Sequence, residues 1–147
     1  MNPTGASLSE HATAMRNRKN ILFVEDDVAI RDVVRLMLEH EGYSVSLLQS
    51  GDALLTDDFP LPDLVILDKQ LPGVDGLDIC RFLKKGERTC HLPVLMLSAS
   101  PQIAQMAQDA CADGCLEKPF RMQEIRDEVA RLTAPGYRSC DTTVLDS

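Results

Sequence analysis

Polar side chains that could do chemistry follow four short apolar runs of the sequence. They are Glu25, Asp26, Asp68, Ser98 and Lys118. Short continuous apolar runs are typical of strands that are buried on both faces of a parallel sheet. The carboxyl ends of such strands meet at one edge of the sheet, where open α/β sheets bind their ligands. We therefore expect these five side chains to lie in one crevice.

Three of these side chains are carboxylates, which repel one another when they share a site and need a compensating cation. Mg²⁺ prefers oxygen ligands and is commonly held by one or two carboxylates together with a phosphate group. A carboxylate can also attack phosphorus and form an aspartyl phosphate. We therefore expect Asp68 to accept a phosphoryl group beside Mg²⁺, or alternatively Mn²⁺, held by Glu25 and Asp26. Lys118 and Ser98 would then neutralise and hydrogen-bond the phosphoryl oxygens.

Strands and helices alternate along the chain. The apolar runs predict strands over residues 21–24, 44–48, 63–67, 92–97 and 114–116. Helical spacing predicts helices over about residues 28–41, 51–55 and 76–85, a fourth that starts at Pro101, and a last one that ends near Leu132. This order predicts an α/β fold in which a parallel sheet carries helices on both faces.

Five segments of the chain together resemble the receiver domain of two-component response regulators, the CheY-like family. They are residues 21–27, 62–68, 71–76, 96–99 and 116–120. The resemblance extends over roughly residues 20–132. It implies a flavodoxin-like, doubly wound fold with five parallel strands in the order 2-1-3-4-5 and five helices.

The resemblance also implies a function. Asp68 would take a phosphoryl group from a histidine kinase or a phosphotransfer protein in a Mg²⁺-dependent reaction. The protein would then be a stand-alone response regulator, which signals by contact with an unidentified downstream protein or serves as a phosphoryl sink. It would be a phosphoacceptor and not a turnover enzyme, and a homodimer could form on phosphorylation.

The family pattern assigns a role to each site residue. Asp26 would ligate the metal directly, Glu25 would act through water, and Gln70 would add its backbone carbonyl. Asp68 would be both phosphoacceptor and ligand, with Ser98 and Lys118 completing the catalytic set. The peptide bond before Pro119 would be cis.

Two features depart from the family pattern. Cys115 stands where family members carry an aromatic side chain on the fifth strand, and a thiol lacks the volume and polar tip of that ring. The stretch between Ser98 and Cys111 is about two residues shorter than usual, which predicts an altered fourth helix. We therefore expect the output to differ from that of typical family members.

Composition limits the other possibilities. The 147 residues are 44% hydrophobic, which predicts one receiver domain over 20–133 between a flexible arm (1–19) and a loose tail (134–147). A formal charge of −8 disfavours direct binding to nucleic acid. No apolar run is long enough for a membrane span, so we expect no membrane insertion and a cytoplasmic protein. The five cysteines form no CxxC pair and are expected to be reduced and mostly buried.

Two other classes of function remain as alternatives. An interaction module could keep the fold without being phosphorylated, although the complete set of site residues argues against it. A phosphatase would need a second acid two residues after the nucleophile, and Gln70 occupies that position. Asp27 is interpreted as the cap of the first helix and not as a metal ligand.

Overall fold

A computed structural model describes residues 18–56 and 58–139 of the chain. The strands are β1 Asn20–Val24, β2 Ser44–Leu48, β3 Leu64–Asp68, β4 Val94–Ser98 and β5 Gly114–Glu117. The helices are α1 Val28–His40, α2 Asp52–Leu55, α3 Gly76–Lys85, α4 Ile103–Asp109 and α5 Met122–Thr133.

The five strands form one parallel sheet in the order β2-β1-β3-β4-β5. This confirms the predicted doubly wound fold and its strand order. Every residue of β3 and β4 is buried, which explains why both strands are unbroken apolar runs in the sequence. Alternate side chains of these strands enter two separate core clusters, one on each face: Val65 and Leu67 enter one, and Leu64 and Ile66 enter the other.

Helix α1 begins as predicted. The carboxylate of Asp27 accepts hydrogen bonds from the backbone N–H groups of Ala29 (3.0 Å) and Ile30 (3.3 Å). Asp27 is therefore the N-terminal cap of α1, and this interpretation is confirmed. After the helix, Gly42 takes a φ of 99°, a left-handed conformation that glycine adopts without strain.

Helix α4 is short. It spans seven residues and starts two positions after the predicted start at Pro101. It is followed by Cys111, whose φ of 64° is uncommon for a residue with a side chain.

The segment after α5 differs from the predicted loose tail. The Tyr137 hydroxyl donates a hydrogen bond to Asp113 Oδ1 at 2.6 Å. The buried hydroxyl of Ser139 donates to the carbonyl of Leu92 at 3.3 Å and accepts from the Lys84 ammonium. The prediction is therefore wrong for residues 134–139, because two side chains of this segment complete a buried polar cluster. The rest of that tail (140–147), like residues 1–17 of the predicted arm, lies outside the described residues.

The four cysteines in the described part of the chain are free thiols, as expected. Only Cys80 is buried, so the expectation of mostly buried thiols is wrong for this part of the chain. Burial raises the pKa of Cys80 to about 12, which keeps this thiol protonated and unreactive. Among the helices of residues 18–56 and 58–139, none is long and apolar enough to cross a membrane.

Candidate active site

The register of the sheet brings the predicted residues to one edge. Val24 pairs with Leu67, so Glu25 and Asp68 come next on adjacent strands at the same level. Strands β4 and β5 pair at the same edge. Ser98 of β4 lies opposite Glu117 of β5, and Lys118 comes directly after Glu117 in the chain. Parallel pairing in this register therefore positions side chains that are up to 93 residues apart in the sequence.

One lysine faces two buried carboxylates in this crevice. Lys118 Nζ lies 3.1 Å from Glu25 Oε1 and 3.2 Å from Asp68 Oδ1. Both carboxylate residues are buried, whereas Asp26 is exposed at the rim. Carboxylate oxygens of Glu25, Asp26 and Asp68 all lie within 4.8 Å of one another. Negative charge is therefore in excess over the single ammonium group.

The pKa values of Glu25 and Lys118 reflect this excess of negative charge. Burial, and after it the charge of Asp68, raise the pKa of Glu25 from 4.5 to about 7, because together they outweigh the hydrogen bond and the charge of Lys118, which lower it. Burial would lower the pKa of Lys118, but the hydrogen bond to Glu25 and the charge of Asp68 outweigh it and raise that pKa. Lys118 is therefore held in its charged form.

One buried oxygen of the site lacks a hydrogen bond. Asp68 Oδ1 accepts none from the described residues, although it has the Lys118 ammonium as an ion-pair partner. A carboxylate oxygen can accept from more than one partner, so Asp68 Oδ1, which pairs with one ammonium only, has a lone pair left for a cation. The site offers oxygen ligands only, as Mg²⁺ prefers, and its residues fit such an ion.

The acidic crevice opens into a cleft of about 680 Å³. Gln70 lines this cleft together with Glu25, Asp26, Asp68 and Lys118. The structure therefore brings together all but one of the predicted site residues. The exception is Ser98, which is buried at the end of β4 and is not part of the cleft lining. Its oxygen accepts a hydrogen bond from the backbone N–H of Ser100 at 3.0 Å, which leaves its own hydrogen available as a donor.

Gly76 fixes how closely α3 approaches the acceptor strand. A Cβ atom at this position would lie 2.1 Å from the backbone oxygen of Asp68, so a side chain there would push the helix away from β3. Sequence reasoning placed Gly76 in a family motif but gave it no role. The signal in the sequence was its position directly after Asp75, a residue type that often caps a helix. In the structure, Asp75 does cap α3, because its carboxylate accepts a hydrogen bond from Leu77 N at 2.8 Å.

Two further expectations concern β5 and the segment after it. The peptide bond between Lys118 and Pro119 is cis, as predicted. Cys115 is half-buried and packs at the edge of the core cluster that also includes Met106 of α4. Burial raises the pKa of the Cys115 thiol, and the charge of Glu128 adds to this effect.

Comparisons with known proteins identify the family. The model of the response regulator receiver domain matches residues 21–130, and the chain belongs to this family. The DNA-binding dual master transcriptional regulator RpaA of Synechocystis sp. is 42% identical over 117 residues, which cover 76% of this chain and 48% of RpaA. The chain spans about half the length of the curated relatives it matches.

Solved structures agree with this assignment. A chemotaxis response regulator of Vibrio cholerae aligns with a TM-score of 0.72 at 27% identity and covers 79% of this chain and 99% of that chain. The receiver domain of a sensor histidine kinase from Pseudomonas aeruginosa aligns with a TM-score of 0.71 at 26% identity, over 79% of this chain and 98% of that chain. That structure holds a magnesium ion in its active site cleft.

Proposed function

We propose that this chain accepts a phosphoryl group on Asp68 from a phosphohistidine donor, a histidine kinase or a phosphotransfer protein, in a Mg²⁺-dependent reaction. The observation that carries the proposal is the buried Asp68 carboxylate, which has one oxygen without a hydrogen bond and lines an acidic cleft beside Lys118. A buried nucleophile of this kind in a cleft that admits a donor is typical of a phosphoacceptor.

In the proposed step, a carboxylate oxygen of Asp68 attacks phosphorus as the bond from phosphorus to the donor nitrogen breaks. The electron pair of that bond stays on the donor nitrogen, and a proton on the other ring nitrogen lets the group leave as neutral imidazole. Asp68 attacks as a carboxylate, so no proton has to be removed from it. Lys118 would neutralise one phosphoryl oxygen, and the hydroxyl of Ser98 would donate a hydrogen bond to another.

Mg²⁺ bound by Asp26, Asp68 and the Gln70 carbonyl, with Glu25 acting through water, would neutralise further charge on the transferred group. The excess of buried carboxylate over ammonium charge supports this assignment. Mn²⁺ has the same preference for oxygen ligands and is a second candidate.

The donor protein would approach over α1. Val28, Val33 and Leu36 of this helix are exposed, although they are large and apolar. Val33 also lines an apolar cleft of about 480 Å³, which shares Lys118 with the acidic cleft. A donor that inserts its phosphohistidine into the acidic cleft must cover this neighbouring surface, so we expect apolar residues to flank its histidine.

The downstream role concerns protein contacts. A net charge of −8 argues against direct nucleic-acid binding by this chain, although RpaA is described as DNA-binding. We propose that the phosphorylated chain contacts a downstream protein or serves as a phosphoryl sink, in the cytoplasm.

Homodimer formation on phosphorylation stays a prediction. Cys115 at the position of the family's aromatic residue favours a weak coupling between Asp68 and α4.

The test is intact mass measurement after incubation with acetyl phosphate and Mg²⁺. We expect one phosphoryl adduct on the wild type and none on Asp68→Asn, because the amide is not a nucleophile toward phosphorus. Asp58→Asn, which changes an exposed carboxylate, is the matched control and should be labelled like the wild type. Equal labelling of Asp68→Asn would contradict the proposal, and an unlabelled wild type that binds no beryllofluoride would favour an interaction module.

A further inference from the structure

The loop between β3 and α3 is closed at its base by side-chain and backbone contacts. The N–H of Gly76 donates to the carbonyl of Lys69 at 2.8 Å. The ammonium of Lys69 lies 2.9 Å from Asp75 Oδ2, while Asp75 Oδ1 caps α3 at Leu77 N. Asp75 therefore connects the first residue after the acceptor to the first turn of the helix.

Partial burial distinguishes the Lys69–Asp75 pair from an ordinary surface ion pair. The side chain of Lys69 is 17% exposed and that of Asp75 is 40% exposed. Solvent and salt screen such a pair less than a fully exposed one, and its geometry restricts both ends of the loop. Gly73 lies within this loop at a φ of 86°, a conformation that would be strained for another residue.

The closed loop forms one wall of the active-site cleft. Lys69, Gln70 and Asp75 line the same cleft as the carboxylates. Gln70 comes directly after Lys69, and its backbone carbonyl is the proposed metal ligand. A change at the base of the loop would therefore move this carbonyl relative to Asp68.

We propose that Lys69 is a positioning residue of the active site, whose pair with Asp75 holds the loop so that the Gln70 carbonyl faces the metal site. This inference rests on the proposed function, because it assumes that Mg²⁺ binds in the cleft. Lys69 itself does not contact the metal or the phosphoryl group in this role.

Two substitutions separate positioning from charge. Lys69→Met removes a positive charge, and Asp75→Asn removes a negative one, yet both break the ion pair. Asparagine keeps an oxygen for the helix cap, so α3 should begin as before. If the pair positions the loop, both variants bind Mg²⁺ more weakly, by about tenfold, as is typical when residues around metal ligands are replaced. If the pair acts through charge alone, Lys69→Met binds Mg²⁺ more tightly and Asp75→Asn more weakly.

The measurement is calorimetric titration of Mg²⁺ into the wild type and each variant, with Lys69→Arg as the matched control that keeps the charge and the pair. Weaker binding in both variants and near wild-type binding in Lys69→Arg would support the inference. Opposite shifts, or unchanged affinity, would overturn it.

Hydrogen exchange of the metal-free proteins gives a readout that does not depend on metal. We expect faster exchange of the hydrogen-bonded N–H groups of Val74 and Gly76 in Lys69→Met, with unchanged exchange in β3 and β4. Unchanged exchange in this loop would contradict the inference. A wild type that binds no Mg²⁺ and takes no phosphoryl group would overturn the proposed function itself, whereas a labelled wild type with unaffected variants would overturn only the role of Lys69.

Discussion

Two lysine–carboxylate clusters lie at opposite ends of the sheet. The first, at the carboxyl ends of the strands, contains Lys118, Glu25 and Asp68. The second lies at the amino ends of β4 and β5, where Lys84 and Asp113 are 2.7 Å apart and only 4% and 5% exposed. The two clusters use the same types of charged group, yet they differ in how fully their polar atoms are satisfied.

The second cluster is internally complete. The ammonium of Lys84 donates to Asp113 Oδ2 and to the Leu92 carbonyl, each at 2.7 Å, and to the Ser139 hydroxyl. Asp113 Oδ2 also accepts from Val94 N at 2.8 Å, while Oδ1 accepts from Tyr137. Every donor of this lysine is therefore used, and the two charges balance.

The first cluster is incomplete in both respects. It has two buried carboxylates for one ammonium, and Asp68 Oδ1 accepts no hydrogen bond from the described residues. Buried polar networks stabilise a fold when all members are satisfied and are costly when some are not. The comparison teaches that the satisfied cluster holds the structure together, while the unsatisfied one is available for a cation and a phosphoryl group.

The largest effect is expected from breaking the satisfied cluster. Asp113→Ala leaves the buried ammonium of Lys84 without its counter-charge, which we expect to lower the free energy of unfolding by about 3–5 kcal/mol. Urea denaturation would measure this loss. Asp109→Ala, which removes an exposed carboxylate at the end of α4, is the control and should change stability by less than about 0.5 kcal/mol. Similar stability of the two variants would contradict the structural role of the cluster.

In the unsatisfied cluster, removing a charge should stabilise the metal-free protein, whereas in the satisfied cluster it destabilises the fold. Because the folded-state pKa of Glu25 is raised from 4.5 to about 7, folding favours its protonated form. Its contribution to stability is therefore fully present below about pH 4.5 and is lost as the pH rises through about 7. Glu25→Gln resembles the protonated form at every pH and should escape this loss.

The metal-free wild type should thus become less stable than Glu25→Gln by about 2–3 kcal/mol between pH 4.5 and 7.5, following the size of the pKa shift. Thermal or urea unfolding in EDTA at several pH values would measure the difference. Glu39→Gln, at an exposed position on α1, should track the wild type. A constant difference between wild type and Glu25→Gln over this range would show that Glu25 is not destabilised in the folded protein.

The active-site cluster could be predicted from the sequence, because it depends on local patterns. Strands buried on both faces are continuous apolar runs, and parallel strands end at a common edge, so the residue after each run marks the site. Asp68 and Lys118 were found in this way. The helix cap Asp27 was found from an equally local rule.

The other cluster could not be predicted, because its contacts join distant residues without a local pattern. Lys84 reaches Ser139 over 55 positions, and Tyr137 reaches Asp113 over 24. A polar segment after the last helix is usually loose, so the sequence alone predicts that residues 134–139 belong to the tail. Similarly, the pair between Lys69 and Asp75 depends on the side-chain geometry of a closed loop, which the family motif alone does not specify.

The smallest of the expected effects concerns this C-terminal segment. Tyr137→Phe keeps the ring but removes the hydroxyl that donates to Asp113 Oδ1, so this buried oxygen loses its partner. We expect the free energy of unfolding to fall by about 1 kcal/mol, as is typical for one hydrogen bond, and more if water cannot replace the hydroxyl. Arg138→Ala is the matched control, since this neighbouring side chain is exposed. Urea denaturation of both variants at pH 7 decides the question. If Tyr137→Phe is as stable as Arg138→Ala, the hydroxyl of Tyr137 adds nothing to the free energy of unfolding. The C-terminal segment would then only shield the satisfied cluster from solvent, and the ion pair of Lys84 and Asp113 would stabilise that cluster alone.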